Sequence, residues 1–312
     1  MSRRTPRGTR WAAALLAAAA VLVLGLGGCS GLGRGRASVV VTTNILGDIT
    51  RAIVGDQAEV TVLMKPNADP HSFGVSAREA ALVEQAGLVV YNGLGLEEGV
   101  LRNVEAAEAA HVPTLAVAER VDPIRHTGDA SEGQPDPHFW TDPVRVRTAV
   151  DVIANEITAR VSGVDEEVIR RNAERYRAEV DQLHAFMTDQ FGRIPQDRRK
   201  LVTNHHVFGY LARRYGFEVI GAVLPSGTTL ASPSASDLEQ LAGTVRAAGV
   251  PVIFADSSQP DRLARVLAEQ AGLSVRVVAL FSESLSQPDQ GAGTYLDMMR
   301  ANTVAITSGL GS

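Results

Sequence analysis

The sequence predicts an α/β protein of two lobes. Each lobe has a mostly parallel sheet flanked by helices, and a long connector helix joins them. Three observations carry this reading. Short Val- and Ile-rich runs of strand length alternate with helical patterns in both halves of the chain. These runs are apolar throughout rather than alternating, the pattern of strands covered on both faces. Between the halves, residues 143–191 keep apolar residues at helical spacing, interrupted only at Ser162-Gly163.

Taken in order, Ser38–Thr42 reads as the first strand and Asp48–Val54 as a helix. Val60–Met64 is the next strand, followed by a loop over Lys65–Ser72. Ser76 can cap a helix running to about Ala86, with Glu79 three residues later completing a capping box. Leu88–Tyr91 is a strand that Asn92-Gly93 ends with turn chemistry. Pro113–Val117 is a short strand, and a Gly-, Asp- and Pro-rich loop covers Asp122–Pro137. In the central stretch Asp165 can cap the second helical piece, with Val168, Tyr176, Val180, Leu183 and Met187 as its apolar stripe. Alternation then restarts. Lys200–Thr203, Phe217–Val223, Val250–Phe254 and Ser274–Leu280 read as strands, and Ser234 with Asp237 begins one of the intervening helices. The lobes are therefore expected at 38–142 and 192–312, with the connector at 143–191.

The first residues do not belong to this fold. Arg3, Arg4, Arg7 and Arg10 precede an apolar run from Trp11 to Leu26, which ends in Gly27-Gly28-Cys29. A basic start, an apolar core and small residues before a cut describe a signal peptide over residues 1–28. The small-small-Cys ending resembles a bacterial lipobox, which implies cleavage before Cys29 and lipid attached to it. The plainer readings are an ordinary signal peptide or a membrane anchor. The run is short for a span of ~20 residues, which favours the lipoprotein. Residues 29–37, with Gly31, Gly33 and Gly35, read as a flexible tether.

Cys29 is the only cysteine. The folded part therefore has neither a disulfide nor a thiolate metal ligand, and any metal must be held by nitrogen and oxygen. A net charge of −5 without a basic face argues against nucleic acid as a partner.

The chain has seven histidines. Two stand in repeated tripeptides, Asp69-Pro70-His71 and Asp136-Pro137-His138, each followed by aromatic residues (Phe73; Phe139-Trp140). Proline fixes its own φ and keeps the preceding residue out of a helix, so each loop is stiff where the imidazole leaves it. One such histidine would read as a turn residue; two copies point to metal, for which imidazole is the commonest ligand. His205-His206 follows the strand ending at Thr203, and adjacent residues there point differently, so one is the expected ligand and the other a surface or supporting residue. Phe208, Tyr210 and Leu211 read as core of the next helix. An acidic ligand is still needed, and Glu283 and Asp256 each follow a strand. His111, His126 and His184 read as solvent-facing.

At these residues the chain resembles the metal-binding lipoproteins of bacterial ABC importers for zinc and manganese, the cluster A-I solute-binding proteins, also called cluster 9. The resemblance runs from about Val39 to Leu310. It is carried by Thr42-Thr43 with Asp48-Ile49 and Val54-Gly55, by Asp69-Pro70-His71-Ser72-Phe73 and by Tyr91-Asn92-Gly93-Leu94-Gly95-Leu96-Glu97. Asp136-Pro137-His138-Phe139-Trp140-Thr141-Asp142-Pro143, His205 before Phe208-Gly209-Tyr210, and Ser282-Glu283-Ser284 before Tyr295, Met298 and Met299 complete it. The resemblance selects His205 over His206 and Glu283 over Asp256. There are three departures. Glu283 stands where Asp is common in the family, Val75 stands where a proline is usual, and residues 122–135 hold one histidine where many zinc members have a His-rich stretch.

The resemblance implies an extracytoplasmic receptor, not an enzyme, lipid-anchored to the outer face of the cytoplasmic membrane. It would deliver Zn²⁺, or alternatively Mn²⁺, to a cognate ABC permease and its ATPase. His71 and His138 from one lobe would meet His205 and Glu283 from the other. Asp69, Asp136 and His206 are the candidates for holding the imidazoles from behind. A monomer is expected. The competing readings are a secreted zinc enzyme with Glu283 as general base, which no HExxH helix supports, and a surface adhesin lipoprotein.

Overall fold

The computed structural model describes residues 37–127, 131–224, 226–272 and 275–311. The signal peptide 1–28, Cys29 and all of the tether but Ala37 lie outside them.

Two four-stranded parallel sheets form, one from each half. The first takes β1 (Ser38–Val41), β2 (Glu59–Val62), β3 (Leu88–Tyr91) and β4 (Thr114–Ala116) in the order β2-β1-β3-β4. The second takes β5 (Lys200–Thr203), β6 (Glu218–Ala222), β7 (Val252–Asp256) and β8 (Arg276–Leu280) in the equivalent order β6-β5-β7-β8. Every pairing is parallel, as the unbroken apolar runs predicted. In each sheet the strand order reverses beside the first strand. Ligands of open α/β sheets bind outside the carboxyl ends of strands at such a point.

Three helices begin where their caps predicted. Ser76 and Glu79 close a reciprocal capping box on α2 (Ala77–Glu84), which follows α1 (Asn44–Val54). Ser234 and Asp237 do the same for α7 (Ala235–Ala248), and Asp165 accepts from two amides at the start of α5 (Glu166–Gly192). The remaining helices are α3 (Leu101–Ala109), α4 (Pro143–Arg160), α6 (Gly209–Tyr215), α8 (Arg262–Gln270) and α9 (Tyr295–Gly311).

Two details differ from expectation. Helix α1 starts four residues before Asp48, because the Thr43 hydroxyl accepts from the Leu46 amide and caps it. Gly47, just ahead of the expected helix start, sits inside α1, and a Cβ there would lie 2.4 Å from a Val62 methyl. The connector region is, as the break at Ser162-Gly163 predicted, two helices packed on each other, of which α5, about 40 Å long at 1.5 Å per residue, runs against both α1 and α9. The buried stripe of α5 is Ile169, Ala173, Tyr176, Val180, Leu183, Met187 and Phe191, with Val168 only half-buried. Steps of three and four residues from Ile169 to Phe191 keep one face toward the core, and Val168 lies at its margin. One apolar cluster consequently runs through both lobes, from Val39 and Leu88 through Phe139 and Leu183 to Phe254 and Tyr295.

Candidate metal centre

Four loops leave the carboxyl ends of strands and meet between the lobes. His71 follows β2 and His138 follows β4, while His205 follows β5 and Glu283 follows β8. All four side chains are buried, with at most 2% of any residue exposed. One donor atom from each lies within 4.8 Å of the other three. The sequence-predicted ligand set is thus brought together across more than two hundred residues.

The contacts have the dimensions of a coordination shell. His138 Nε2 is 3.4 Å from His71 Nε2 and 3.7 Å from Glu283 Oε1. His71 Nε2 is 3.7 Å from Glu283 Oε2, and His205 Nε2 is 3.0 Å from Glu283 Oε1. A tetrahedron with arms of ~2.0–2.1 Å has edges of about 3.3–3.4 Å, which these separations bracket. Neither Glu283 oxygen nor either His205 ring nitrogen has a hydrogen-bond partner among the described residues. The 3.0 Å contact between His205 and Glu283 is close but not aligned as a hydrogen bond. A buried carboxylate without donors is costly, and a cation between these groups would satisfy it.

The loops that carry His138, His71 and Glu283 are held from behind. Asp136 Oδ1 accepts from the His138 backbone amide at 2.9 Å and lies 2.8 Å from His138 Nδ1. That contact places the ring proton on Nδ1 and leaves the Nε2 lone pair facing the cluster. Asp69 acts differently from its expected role. It accepts from the His71 amide at 3.0 Å, not from the ring, and His71 Nδ1 has no hydrogen-bond partner among the described residues. The second Asp69 oxygen reaches across the cleft, accepting from Thr229 Oγ1 at 2.6 Å and Gln259 Nε2 at 3.0 Å. The Glu283 segment is clamped by the first lobe. Trp140 Nε1 donates to the Ser282 carbonyl at 2.9 Å, and Asn44 bonds both the Ser284 hydroxyl and the Leu285 amide.

Asp256, the other acid considered for the fourth position, is outside the group of four. It accepts from the Ser258 amide at 2.7 Å and from the hydroxyls of Ser258 and Ser282, so it orders the segment before Glu283. His206 is half-buried and outside the group of four. His111 is exposed, as expected. His184 is half-buried, with Nδ1 2.9 Å from the Tyr215 hydroxyl, and His126 is buried beside Asp136. Both depart from the solvent-facing reading, for contacts made by distant segments.

Glu97 is a supporting residue that the sequence did not single out for this purpose. Buried below the first lobe's loops, it accepts from the Asn92 and Gly93 amides at 2.6 and 3.1 Å and from the Thr42 hydroxyl at 2.7 Å. Asn92 in turn donates to the Pro137 carbonyl at 3.0 Å. The Tyr91–Glu97 motif therefore fixes the backbone from which His138 projects. Gly209 has a similar explanation: a Cβ there would lie 2.7 Å from Asp136 Oδ2.

Burial sets the protonation of the cluster. It pushes His71 down to about 2, helped by the neighbouring His138 and His205 rings, and holds His138 well below its usual value. Both imidazoles are thus neutral and have lone pairs to give. Burial would lower His205 too, but the adjacent Glu283 carboxylate outweighs it and shifts His205 up. Burial pushes Glu283 up to about 7 against the pull of His205. Protons held on this pair compete with a cation for the site.

Asp136→Asn tests the support of His138. The amide can still accept from the backbone but no longer presents a carboxylate to the ring. Metal affinity should fall about 10–100-fold, the usual cost of a lost supporting partner, with the metal-free melting temperature little changed. Calorimetric titration of both proteins reads this; equal affinities would mean that the Asp136 contact does not orient His138.

A family model described as "Zinc-uptake complex component A periplasmic" matches residues 39–309. The zinc-binding protein TroA of Treponema pallidum is 29% identical over 280 residues, covering 88% of this chain and 89% of that one. Its solved structure superposes with a TM-score of 0.82 at 27% identity, covering 89% of this chain and all of the other. The manganese ABC transporter substrate-binding lipoprotein PsaA of Streptococcus pneumoniae is 26% identical, covering 88% of this chain and 89% of that one. A Mn-bound periplasmic metal-binding protein from Candidatus Liberibacter asiaticus superposes with a TM-score of 0.77 at 27% identity, over 88% and 99% of the two chains.

Proposed function

The chain belongs to the family of periplasmic zinc-uptake components, metal-binding solute-binding proteins of ABC importers rather than enzymes, and from that premise we propose that it captures Zn²⁺ between its lobes. His71, His138, His205 and Glu283 are the ligands in this reading, and the cognate permease with its ATPase takes the ion onward. The observation that carries it is the convergence of four buried donors, of which the Glu283 oxygens and the His205 ring nitrogens have no hydrogen-bond partner among the described residues. Three imidazoles and one carboxylate suit tetrahedral zinc. Manganese prefers more oxygen, and the Irving–Williams order places Zn²⁺ above Mn²⁺ at a given nitrogen–oxygen site.

The reading extends to the whole chain. Residues 1–28 are removed, Cys29 carries lipid, and residues 29–37 tether the protein to the outer face of the cytoplasmic membrane. The lobes are 38–142 and 192–312, joined by 143–191, and the protein works as an extracytoplasmic monomer. The lipoprotein PsaA, of similar length, supports the anchor.

Manganese is the second reading, favoured by one observation: each Glu283 oxygen lies 3.7 Å or less from an imidazole nitrogen, so both can face an ion and supply a fifth donor. Metal-stripped protein titrated with Zn²⁺ and Mn²⁺ in competition decides between them. Zinc should bind at least about 100-fold more tightly, a difference of about 2.7 kcal/mol; manganese binding equally well or better would transfer the assignment.

A further inference from the structure

The buried Asp69 carboxylate ties together the loops that carry the ligands. Its Oδ1 accepts from the His71 amide at 3.0 Å. Its Oδ2 accepts from Ser72 Oγ at 2.9 Å, Thr229 Oγ1 at 2.6 Å and Gln259 Nε2 at 3.0 Å. Thr229 and Gln259 belong to the second lobe, and each leads to a ligand there. Thr229 stands five residues after Leu224, whose amide donates to the carbonyl of Asn204, beside His205, at 2.7 Å. Gln259 stands three residues after Asp256, which accepts from the hydroxyl of Ser282, beside Glu283.

This side of the cleft is built differently from the rest of the junction. Elsewhere the lobes share an apolar cluster, and Arg214 grips Asp142 through Nε and a terminal nitrogen. Val223, Ala255 and Ala264 belong instead to a separate cluster of the second lobe. Together with Thr229 and Gln259 they line a cavity of about 470 Å³, which gives both side chains room to turn off Asp69. Segment 226–231 is neither helix nor strand, and its Gly227 amide also reaches the first lobe, donating to Ser131 Oγ at 2.9 Å. The central donors are at most 2% exposed, so no ion passes unless something moves.

We propose that Asp69, Thr229 and Gln259 form a latch across the cleft, which opens for the ion to enter or leave and so sets its residence time. They are positioning residues, and the inference rests on the central cluster holding the ion. Breaking the latch frees segment 226–231 from Asp69 and, through Leu224 and Asn204, lets His205 withdraw. Glu283 stays with His71 and His138, because Trp140 and Asn44 keep its segment on the first lobe. His205 is therefore the first ligand to leave. The latch makes no use of the ion, so it slows entry as well as exit.

The test is the rate at which the zinc-loaded mature chain gives Zn²⁺ to excess chromogenic chelator, with zinc association measured beside it, both by stopped flow. Thr229→Val keeps the side-chain shape and removes the hydroxyl. It should release zinc at least about 10-fold faster than the wild type, the usual worth of a hydrogen bond to a charged acceptor. Adding Gln259→Leu should speed release further, and association should quicken too. Thr229→Ser restores the donor and should release zinc as slowly as the wild type. Both positions are half-buried, and metal-free melting shows that each variant folds; Gln259→Leu alone takes the place of Thr229→Val if that variant does not. Release or association at the wild-type rate in the folded variants overturns the proposal, as does a Thr229→Ser protein as fast as Thr229→Val. His205→Ala separates that failure from a failure of the central reading. It should no longer hold zinc tightly, and release as slow as the wild type's in that variant would overturn the ligand assignment instead.

Discussion

Replacing His138 with alanine should cost about a thousandfold in zinc affinity, about 4 kcal/mol at 1.4 kcal/mol per decade, and leave the protein folded. His138 Nε2 lies 3.4 Å from His71 Nε2 and 3.7 Å from Glu283 Oε1, so its loss opens the shell in the middle. The fold should survive for three reasons. The loop carrying His138 is held through Asn92 and the Pro137 carbonyl. Tyr210 donates to the Asp136 carbonyl at 2.7 Å. The lost imidazole is also one of three crowded together, whose neighbours disfavour one another's charge. The metal-free variant should melt within about 5 °C of the wild type. The stabilisation that saturating zinc gives the wild type, about 4 kcal/mol at a thousand times the dissociation constant, should disappear. Calorimetry with thermal melts reads both, and unchanged zinc binding in a folded variant would reject His138 as a ligand.

The second large effect is on pH. Glu283 is pushed up to about 7 by burial, and His205 beside it is shifted up as well. Both must be unprotonated to hold a cation. The sign follows directly: a proton that binds the empty site competes with the metal below about pH 7 and not above. One competing proton costs up to a factor of ten per unit below its pKa, so with half the sites already protonated at pH 7 affinity should drop about 50-fold between pH 7 and pH 5, about 2.3 kcal/mol. A proton retained on His205 would steepen the fall. His71 and His138, held far below the ordinary histidine range, contribute nothing in this window. Glu283→Gln should bind more weakly at pH 8 and lose much of the pH dependence. Chelator competition from pH 5 to pH 8 measures it, and a flat wild-type profile would contradict proton competition at Glu283.

His71 and His138 are legible in the sequence because their loops repeat a local device. Asp-Pro fixes the backbone and supplies a carboxylate two residues before the imidazole, and the structure uses both carboxylates to hold backbone amides. The parallel sheets are legible because strands buried on both faces need unbroken apolar runs. Glu283 is different. By position alone it is indistinguishable from Asp256, and only the approach of Ser282 and Ser258 shows that Asp256 is already hydrogen-bonded. The burial of His126 depends on Gly227, a hundred residues away, so no local pattern records it. The role of Asp69 across the cleft depends on Thr229 and Gln259 in the same way. The early start of α1 was hidden because a glycine inside it serves packing against Val62.

Crystals of the zinc-loaded mature chain, with anomalous diffraction measured at the zinc edge, test the central claim most directly. The strongest anomalous peak should lie within ~2.0–2.2 Å of His71, His138, His205 and Glu283. A strongest peak elsewhere, or a central ion that leaves Glu283 or any of the three imidazoles out of its shell, would contradict it.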